Sequence, residues 1–318
     1  RPIITEYAGR VKFENVEVGD PGPGEVRIKH TYIAVNFIDI YHRTGFHPTP
    51  LPNGLGSDAV GVVGAVGPGV TEVKVGQRVG YLMGPLGAYA HERVMPVAVL
   101  IPLPDEVSDR TAATLMMKGM TAQYLFRQVY PLKGGETILY HAAAGGVGVI
   151  ASQWAKAMGV KMIGTVSTDE KAAIAKANGC EHVIVTSREN IVERVKELTD
   201  GKGVPVVYDS VGKDTLDASL SCLSIRGTLV SNGTSSGPVI IDAHKLALKG
   251  SLSVIRPAMV HYIHPRAHML SMADEVFDMV KNGKIVSEPK QIYSLADAAQ
   301  AHRALESRAT TGATVLVP

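Results

Sequence analysis

From about Thr137 onward, apolar runs of strand length alternate with segments whose apolar residues recur at helical spacing. The runs are Thr137–His141, Lys161–Val166, His182–Thr186, Val204–Asp209, Gly227–Asn232 and Gly250–Ile255. Each is apolar at successive positions, the pattern of strands covered on both faces of a parallel sheet. Between the first two, Val147, Ile150, Ala151, Trp154 and Met158 share one helical face, and Gly159 is placed to end that helix. Further helices are predicted over Asp169–Ala177, Asn190–Leu198 and Asp214–Leu223. Strands joined by crossover helices in this way predict an α/β, doubly wound Rossmann domain with a parallel sheet.

The first third follows another rhythm. Glu25–Val35 alternates apolar and polar residues, and prolines and glycines recur from Pro48 to Gly87. Short strands broken by turn residues predict a compact, mostly β domain of partly barrel-like character. Apolar stripes return at Met269–Val280 and Leu295–Leu305, and Ala313–Val317 has the makings of a strand that rejoins the first domain. The predicted division is 1–120, 121–256 and 257–318.

Bulk properties narrow the classes. At 318 residues the chain is long enough for two domains or one large one, and at 45% hydrophobic and 19% charged it has the composition of an ordinary globular protein. Its net charge of +2 gives no basic footprint for nucleic acid or for a membrane surface. No apolar run is long enough to span a bilayer, so no membrane partner is expected. Cys180 and Cys222 form no C-x-x-C pair, which argues against a structural zinc site or a disulfide framework and fits a reducing cytoplasm.

The chemistry begins at the first Rossmann strand. Thr137-Ile-Leu-Tyr-His-Ala-Ala-Ala-Gly-Gly-Val-Gly148 reads as strand, small-residue turn and first helical turn, with A-x-x-G-x-x-G spacing at Ala142, Gly145 and Gly148. Backbone N–H groups and a helix N-terminus are thereby placed to hold a pyrophosphate. The end of the next strand selects the cofactor, because a carboxylate there would bind a ribose 2′-OH and repel a 2′-phosphate. Here that strand ends in Ser167-Thr168, Asp169 lies beyond it, and Lys171 follows. A hydroxyl and an ammonium favour NADPH. The other reading makes Asp169 a helix cap and Lys171 a solvated helix residue.

His141–Gly148, Gln153-Trp-Ala-Lys156, Val207-Tyr-Asp-Ser-Val-Gly212 and Glu306-Ser-Arg-Ala-Thr310 together resemble the bacterial NADPH:quinone oxidoreductases. These form the zeta-crystallin-like, zinc-independent branch of the medium-chain dehydrogenase/reductase superfamily. Val35-Asn-Phe-Ile-Asp-Ile-Tyr41, Gly54-Leu-Gly56 and Met117-Lys-Gly-Met-Thr121 extend the likeness over nearly the whole chain. The resemblance implies a GroES-like catalytic domain, a Rossmann domain, a C-terminal segment rejoining the former, and an active site in the cleft between domains. It also implies that Gly145, Gly146 and Val147 approach the pyrophosphate, and that Ser167, Lys171 and Arg308 hold the 2′-phosphate. Thr186 stands where the family often has a tyrosine that joins this pocket, and is expected to donate a hydrogen bond to the cofactor while covering the adenine less well. Asn36, Thr121, Val211, Asn232 and Ser235 would line the ribose and nicotinamide.

Zinc-dependent relatives carry a cysteine early in the first domain and Gly-His-Glu further on. This chain has Asn36 and Asp39 in the first region and Gly56-Ser57-Asp58 in the second. Without soft ligands no catalytic zinc is expected. A quinone needs no Lewis acid, since its reduced product is a delocalised anion, and positioning beside the nicotinamide supplies most of the catalysis. Tyr41, with Asn36 and Asp39 beside it, is the candidate for touching the quinone through its phenol. His47 reads either as a proton donor or as a residue of an exposed loop. His261, His264 and His268 have ligand-like spacing, but Pro265 interrupts them and nothing completes a metal set.

The sequence therefore predicts an NADPH-dependent quinone reductase. Two alternatives stay open: an NADPH-dependent reductase of activated C=C bonds such as enones or alkenals, and a non-catalytic NADPH-binding protein that is redox-responsive or binds RNA. Near-neutral charge weighs against RNA. The resemblance implies a homodimer, in which Gly250–Ile255, a bare sheet edge in a monomer, would pair with its two-fold mate.

Overall fold

The computed structural model describes residues 1–5, 7 and 11–318, and the regular structure of its first third is mainly short strands. The strands are β1 (Pro2–Ile4), β2 (Lys12–Phe13), β3 (Glu25–Val35), β4 (Asn53–Gly54), β5 (Ala59–Val66), β6 (Arg78–Tyr81), β7 (Glu92–Pro96) and β8 (Leu100–Pro102). One helix, α1 (Phe37–Thr44), follows β3, and α2 (Asp109–Tyr124) follows β8. The alternation in β3 has its expected meaning: Val26, Ile28 and His30 are buried while the residues between them are not.

The next stretch supplies β9 (Thr137–Tyr140), α3 (Gly146–Ala157), β10 (Lys161–Val166), α4 (Asp169–Ala177), β11 (His182–Val185), α5 (Ile191–Leu198) and β12 (Val204–Asp209). It continues with α6 (Leu216–Cys222), β13 (Leu223–Ser231), α7 (Ala243–Leu248) and β14 (Ser253–Ile255). The chain closes with α8 (Arg266–Lys281), β15 (Pro289–Ser294), α9 (Ala298–Glu306) and β16 (Ala313–Val317).

Two compact units result. The first comprises Arg1–Met120, His264–Lys281 and Val286–Pro318; the second comprises Thr121–Ile263 and Asn282–Ile285. In the first unit the main sheet runs β15-β16-β3-β5-β6-β8, with β7 also paired to β3. The predicted strand Ala313–Val317 is β16, and it pairs antiparallel with β3 through Val315↔Ala34 and Leu316↔Ile33. Ile28, Ile33, Val63, Tyr81, Tyr89, Met95, Leu100, Leu295 and Leu316 fill the core of this unit. Burying such side chains contributes about 1.5–3 kcal/mol each.

The second unit is a parallel sheet in the order β11-β10-β9-β12-β13-β14. The strand order reverses between β9 and β12, so the loops leaving those two strands diverge and open the crevice where doubly wound sheets take ligands. Leu139, Ile163, Ile184, Val207 and Leu229 belong to the buried cluster on this sheet. Some ends differ from the sequence pattern. β14 starts at Ser253, not Gly250, because Gly250 (φ 117°) and Ser251 (φ 55°) form the turn after α7. α6 starts at Leu216, not Asp214, because Gly212 (φ 99°) holds the preceding turn. Leu295–Asp297 forms a tight 3-10 turn ahead of α9.

Candidate active site

The glycine turn leaves β9 through His141 and enters α3 with Gly145 as its N-cap. Gly148 packs against the turn it follows. A Cβ there would lie 2.4 Å from the Ala142 carbonyl oxygen and 2.6 Å from that of Ala143. Only glycine lets the helix start so close to the strand end, which is the role of the last glycine in such fingerprints. Ala142 takes the left-handed conformation (φ 56°) that a glycine would adopt without strain. Gly145, Gly146 and Val147 are all part-exposed; Gly145 N–H donates to the Ala142 carbonyl at 2.9 Å, while Gly146 and Val147 open the first turn of α3, where the N–H groups of a helix have no intrahelical partners.

Beneath the turn runs a chain of buried hydrogen bonds. Asp209, at the end of β12, accepts from the backbone N–H groups of Val211 (2.8 Å) and Gly212 (3.0 Å) and from the hydroxyls of Thr215 and Ser219 (2.6 Å). Ser219 gives its proton to Asp209, so His141 Nε2–H donates to Ser219 Oγ at 2.9 Å, and His141 Nδ1 accepts from Thr165 Oγ1 at 2.9 Å. His141 is fully buried, and desolvation lowers its pKa against the opposing pull of Asp209. The imidazole is a neutral strut. Asp209 thereby fixes the loop that carries Val211, while Asn232 N–H donates to the Asp209 carbonyl (2.9 Å) and Ser235 N–H to that of Ser210 (3.3 Å). Val211, Asn232 and Ser235 are thus gathered in one loop cluster at the C-terminal edge of the sheet. Asn232 Oδ1 and Ser231 Oγ are buried there without a hydrogen-bond partner among the described residues. Orphaned buried acceptors beside the crevice, with the N-terminus of α3, fit a dinucleotide.

At the end of β10, Ser167 is exposed, and Thr168 Oγ1 caps α4 by accepting from Lys171 N–H at 3.3 Å. Asp169 is not left as an isolated acid: its Oδ1 accepts from Arg188 Nη2 at 2.8 Å. Thr186 Oγ1 turns back to donate to the Val166 carbonyl at 3.1 Å. Arg308 lies in the first unit, just past α9, exposed and with φ 59°. Thr121 is half-buried in α2.

In the first unit, Asn36 and Asp39 come together at the start of α1, where Asn36 N–H donates to Asp39 Oδ2 at 2.9 Å. Both are buried, Asp39 completely. Asn36 bridges two charges. Its Oδ1 accepts from Lys118 Nζ at 2.7 Å and its Nδ2 donates to Asp58 Oδ2 at 2.9 Å, so the amide orientation is fixed. Asp58 also accepts from Met117 N–H at 3.3 Å. Tyr89 Oη donates to Asp39 Oδ2 (3.1 Å) and meets His302 Nε2 at 2.9 Å. Burial pushes Asp39 up to about 7, against the pull of the Asn36 N–H and the Tyr89 hydroxyl. Burial likewise raises Asp58 to about 6, with the Lys118 ammonium pulling the other way. Lys118 is lowered by desolvation and held up by both carboxylates.

Tyr41 sits on α1, half-buried, within a ring cluster. Its centroid lies 5.3 Å from Phe37, 5.1 Å from Phe46 and 5.0 Å from His47. Phe46 is exposed, so the cluster presents an aromatic face to solvent. His47 is half-buried within this cluster, and not a bare loop residue.

Residues 22–105 match the alcohol dehydrogenase GroES-like domain, and residues 146–278 match the zinc-binding dehydrogenase family. A quinone oxidoreductase of Pseudomonas aeruginosa is 52% identical over 97% of this chain and 95% of its own. The chain belongs to the quinone oxidoreductases of the medium-chain dehydrogenase/reductase superfamily. A 2-haloacrylate reductase of Burkholderia is 46% identical over 99% of this chain and 98% of its own. The crystal structure of Escherichia coli quinone oxidoreductase complexed with NADPH is 44% identical, with a TM-score of 0.98 over 100% of this chain and 99% of that one. The zinc in one matched family's description does not fit these residues. Asn36, Asp39 and Asp58 offer neither thiolate nor imidazole, and the Lys118 ammonium would repel a dication. Among the described residues, no group of three or more His, Cys, Asp or Glu is placed to hold a metal ion.

Sequence reasoning missed Lys118, Asp58, Tyr89 and His302 as partners of Asn36 and Asp39, and Asp209 as the clamp of the second unit. Lys118 and Asp209 both lie within motifs that carried the resemblance. A charged residue directly after an apolar run, as Lys118 after Leu115-Met-Met117 and Asp209 after Val206-Val-Tyr208, was the available signal.

Proposed function

We propose that this chain catalyses NADPH-dependent reduction of quinones. The observation that carries the reading is the end of β10, where Ser167 replaces a strand-end carboxylate and the nearest acid, Asp169, is paired with Arg188. A fold that superposes on an NADPH complex, and a quinone oxidoreductase at 52% identity, support it. Residues 121–256 would carry the cofactor, with 1–120 and 257–318 as the catalytic part.

In this reading Gly145, Gly146 and Val147 receive the pyrophosphate, and Ser167, Lys171 and Arg308 hold the 2′-phosphate. Val211, Asn232 and Ser235, clamped by Asp209, line the nicotinamide side with Thr121. Bound NADPH supplies the hydride or electrons. Tyr41 hydrogen-bonds a quinone oxygen through Oη, and the tilted rings of Phe37, Phe46 and His47 around it offer aromatic edges and faces to a planar acceptor. Asn36 keeps a fixed amide between Lys118 and Asp58, and Asp39, fully buried, positions Asn36 by holding its N–H and does not touch substrate.

Steady-state turnover of an ortho-quinone and of an alkenal, each with NADPH and with NADH, tests the assignment. Quinone turnover preferring NADPH is expected, and absence of quinone turnover would overturn it. The Burkholderia relative favours the second reading, reduction of an activated C=C bond, which predominant alkenal turnover would establish.

A homodimer accompanies this reading. β14 is an outer strand of the six-stranded sheet, and Ile225 and Leu248 lie largely exposed. Pairing two β14 edges would continue the sheet. Sedimentation giving only monomer would remove it. A cytoplasmic location is proposed on the two free, buried cysteines.

A further inference from the structure

The loops after β10 and β11 leave the same end of the sheet, because the strands are parallel and Val166 pairs with Val185. Thr186 Oγ1 is committed to the Val166 carbonyl. The next long side chain on that loop is Arg188. Its backbone is tied down, with its N–H donating to the Val185 carbonyl at 3.1 Å, while its side chain is 58% exposed. Nη2 reaches Asp169 Oδ1 at 2.8 Å, bringing the guanidinium across to the segment that follows β10. Nη1 lies 3.5 Å from Glu189 Oε2, but Glu189 is already engaged by Val185 N–H (2.8 Å) and Arg194 Nε (3.2 Å).

We propose that Arg188 is a specificity-determining residue for the 2′-phosphate of NADPH. The proposal rests on the NADPH reading above. Its guanidinium acts twice: it cancels the Asp169 charge that would repel a phosphate dianion, and its remaining N–H groups donate to the phosphate. A planar fork of five donors can serve a carboxylate and a phosphate together, which a lysine ammonium does less well. Arg188 thus supplies the binding that the Thr186 hydroxyl, turned inward, does not.

The test is calorimetric titration of adenosine 2′,5′-bisphosphate and of 5′-AMP into the full chain and into Arg188→Ala and Arg188→Lys. Arg188→Ala is expected to weaken the bisphosphate about five- to twentyfold, the scale of one or two charge-assisted hydrogen bonds, and to leave 5′-AMP unchanged. Arg188→Lys should recover part of the loss. If the wild-type chain prefers the bisphosphate and Arg188→Ala keeps that preference in full, the role of Arg188 is overturned while the NADPH reading stands. If the wild-type chain shows no preference for the bisphosphate, both fall. Equal loss of both ligands in Arg188→Ala would mark a structural effect and also overturn the proposal.

Discussion

Lys118 Nζ donates to Asn36 Oδ1 at 2.7 Å inside the first unit, and the same amide passes its N–H to Asp58. An ammonium and a carboxylate are thereby coupled through one neutral side chain. Removing one charge strands the other, which costs about 3–5 kcal/mol for a buried pair. Lys118→Met should lower the melting temperature markedly at pH 8 and less at pH 5, where the carboxyls take up protons. An equal drop at both pH values would show that packing, not charge, sets the loss.

The two carboxyls give the first unit its own pH dependence. Both hold protons more tightly in the fold than at their ordinary value of 3.8, Asp39 up to about 7 and Asp58 up to about 6. Their contribution is full below about pH 4 and is lost as pH rises through 6 to 7. Asp39→Asn copies the protonated form and still accepts from Asn36 N–H and Tyr89. It should therefore gain on the wild type as pH goes from 5 to 8, by up to about 2–4 kcal/mol. Denaturant unfolding at both pH values checks this, and a constant difference would refute it.

At the glycine turn, Gly148→Ala puts a methyl 2.4 Å from the Ala142 carbonyl oxygen. The turn must then open. NADPH affinity measured by fluorescence titration should fall at least about tenfold, with a loss of ~2 kcal/mol in stability. Affinity within about twofold of wild type would show that the turn has room to yield.

Asp209→Ala would leave the Val211 and Gly212 N–H groups and the Ser219 hydroxyl without their acceptor. A loss of about 3 kcal/mol or more is expected in chemical unfolding, since each stranded buried donor costs roughly 1–3 kcal/mol. Asp209→Asn, which keeps one acceptor oxygen, should lose less. Equal losses would mean the carboxylate charge matters more than the acceptors.

Substitutions at Tyr41 separate ring from hydroxyl. Tyr41→Phe keeps the contacts with Phe37, Phe46 and His47 and should lower kcat for quinone with little change in KM; Tyr41→Ala should raise KM as well. Unchanged steady-state kinetics in both variants would exclude Tyr41 from the quinone site.

The Rossmann strands were legible because burial on both faces writes an uninterrupted apolar run, as in Lys161–Val166. The α4 boundaries, Asp169–Ala177, were legible from the run of helix formers, although the cap is the hydroxyl of Thr168 and not Asp169, which is the first residue of the helix. Ends set by left-handed turns, such as Gly250-Ser251 before β14, were not, since a serine at positive φ leaves no pattern. At the site, the glycine turn and Ser167 could be read from local spacing. The Asn36–Lys118–Asp58 cluster could not. Its members are 82 and 22 residues from Asn36 along the chain and meet only in the folded unit.

The hydrogen-bond chain from Asp209 through Ser219 and His141 to Thr165 has a consequence for how the enzyme answers acidity. Every proton in it is assigned, and burial keeps its histidine uncharged. The floor under the glycine turn is therefore proton-silent at its imidazole, whereas the first unit holds carboxyls that titrate near neutral pH. Grip on the pyrophosphate should stay level across the range in which the Asn36 environment changes charge, so cofactor retention and turnover would respond to acidity independently.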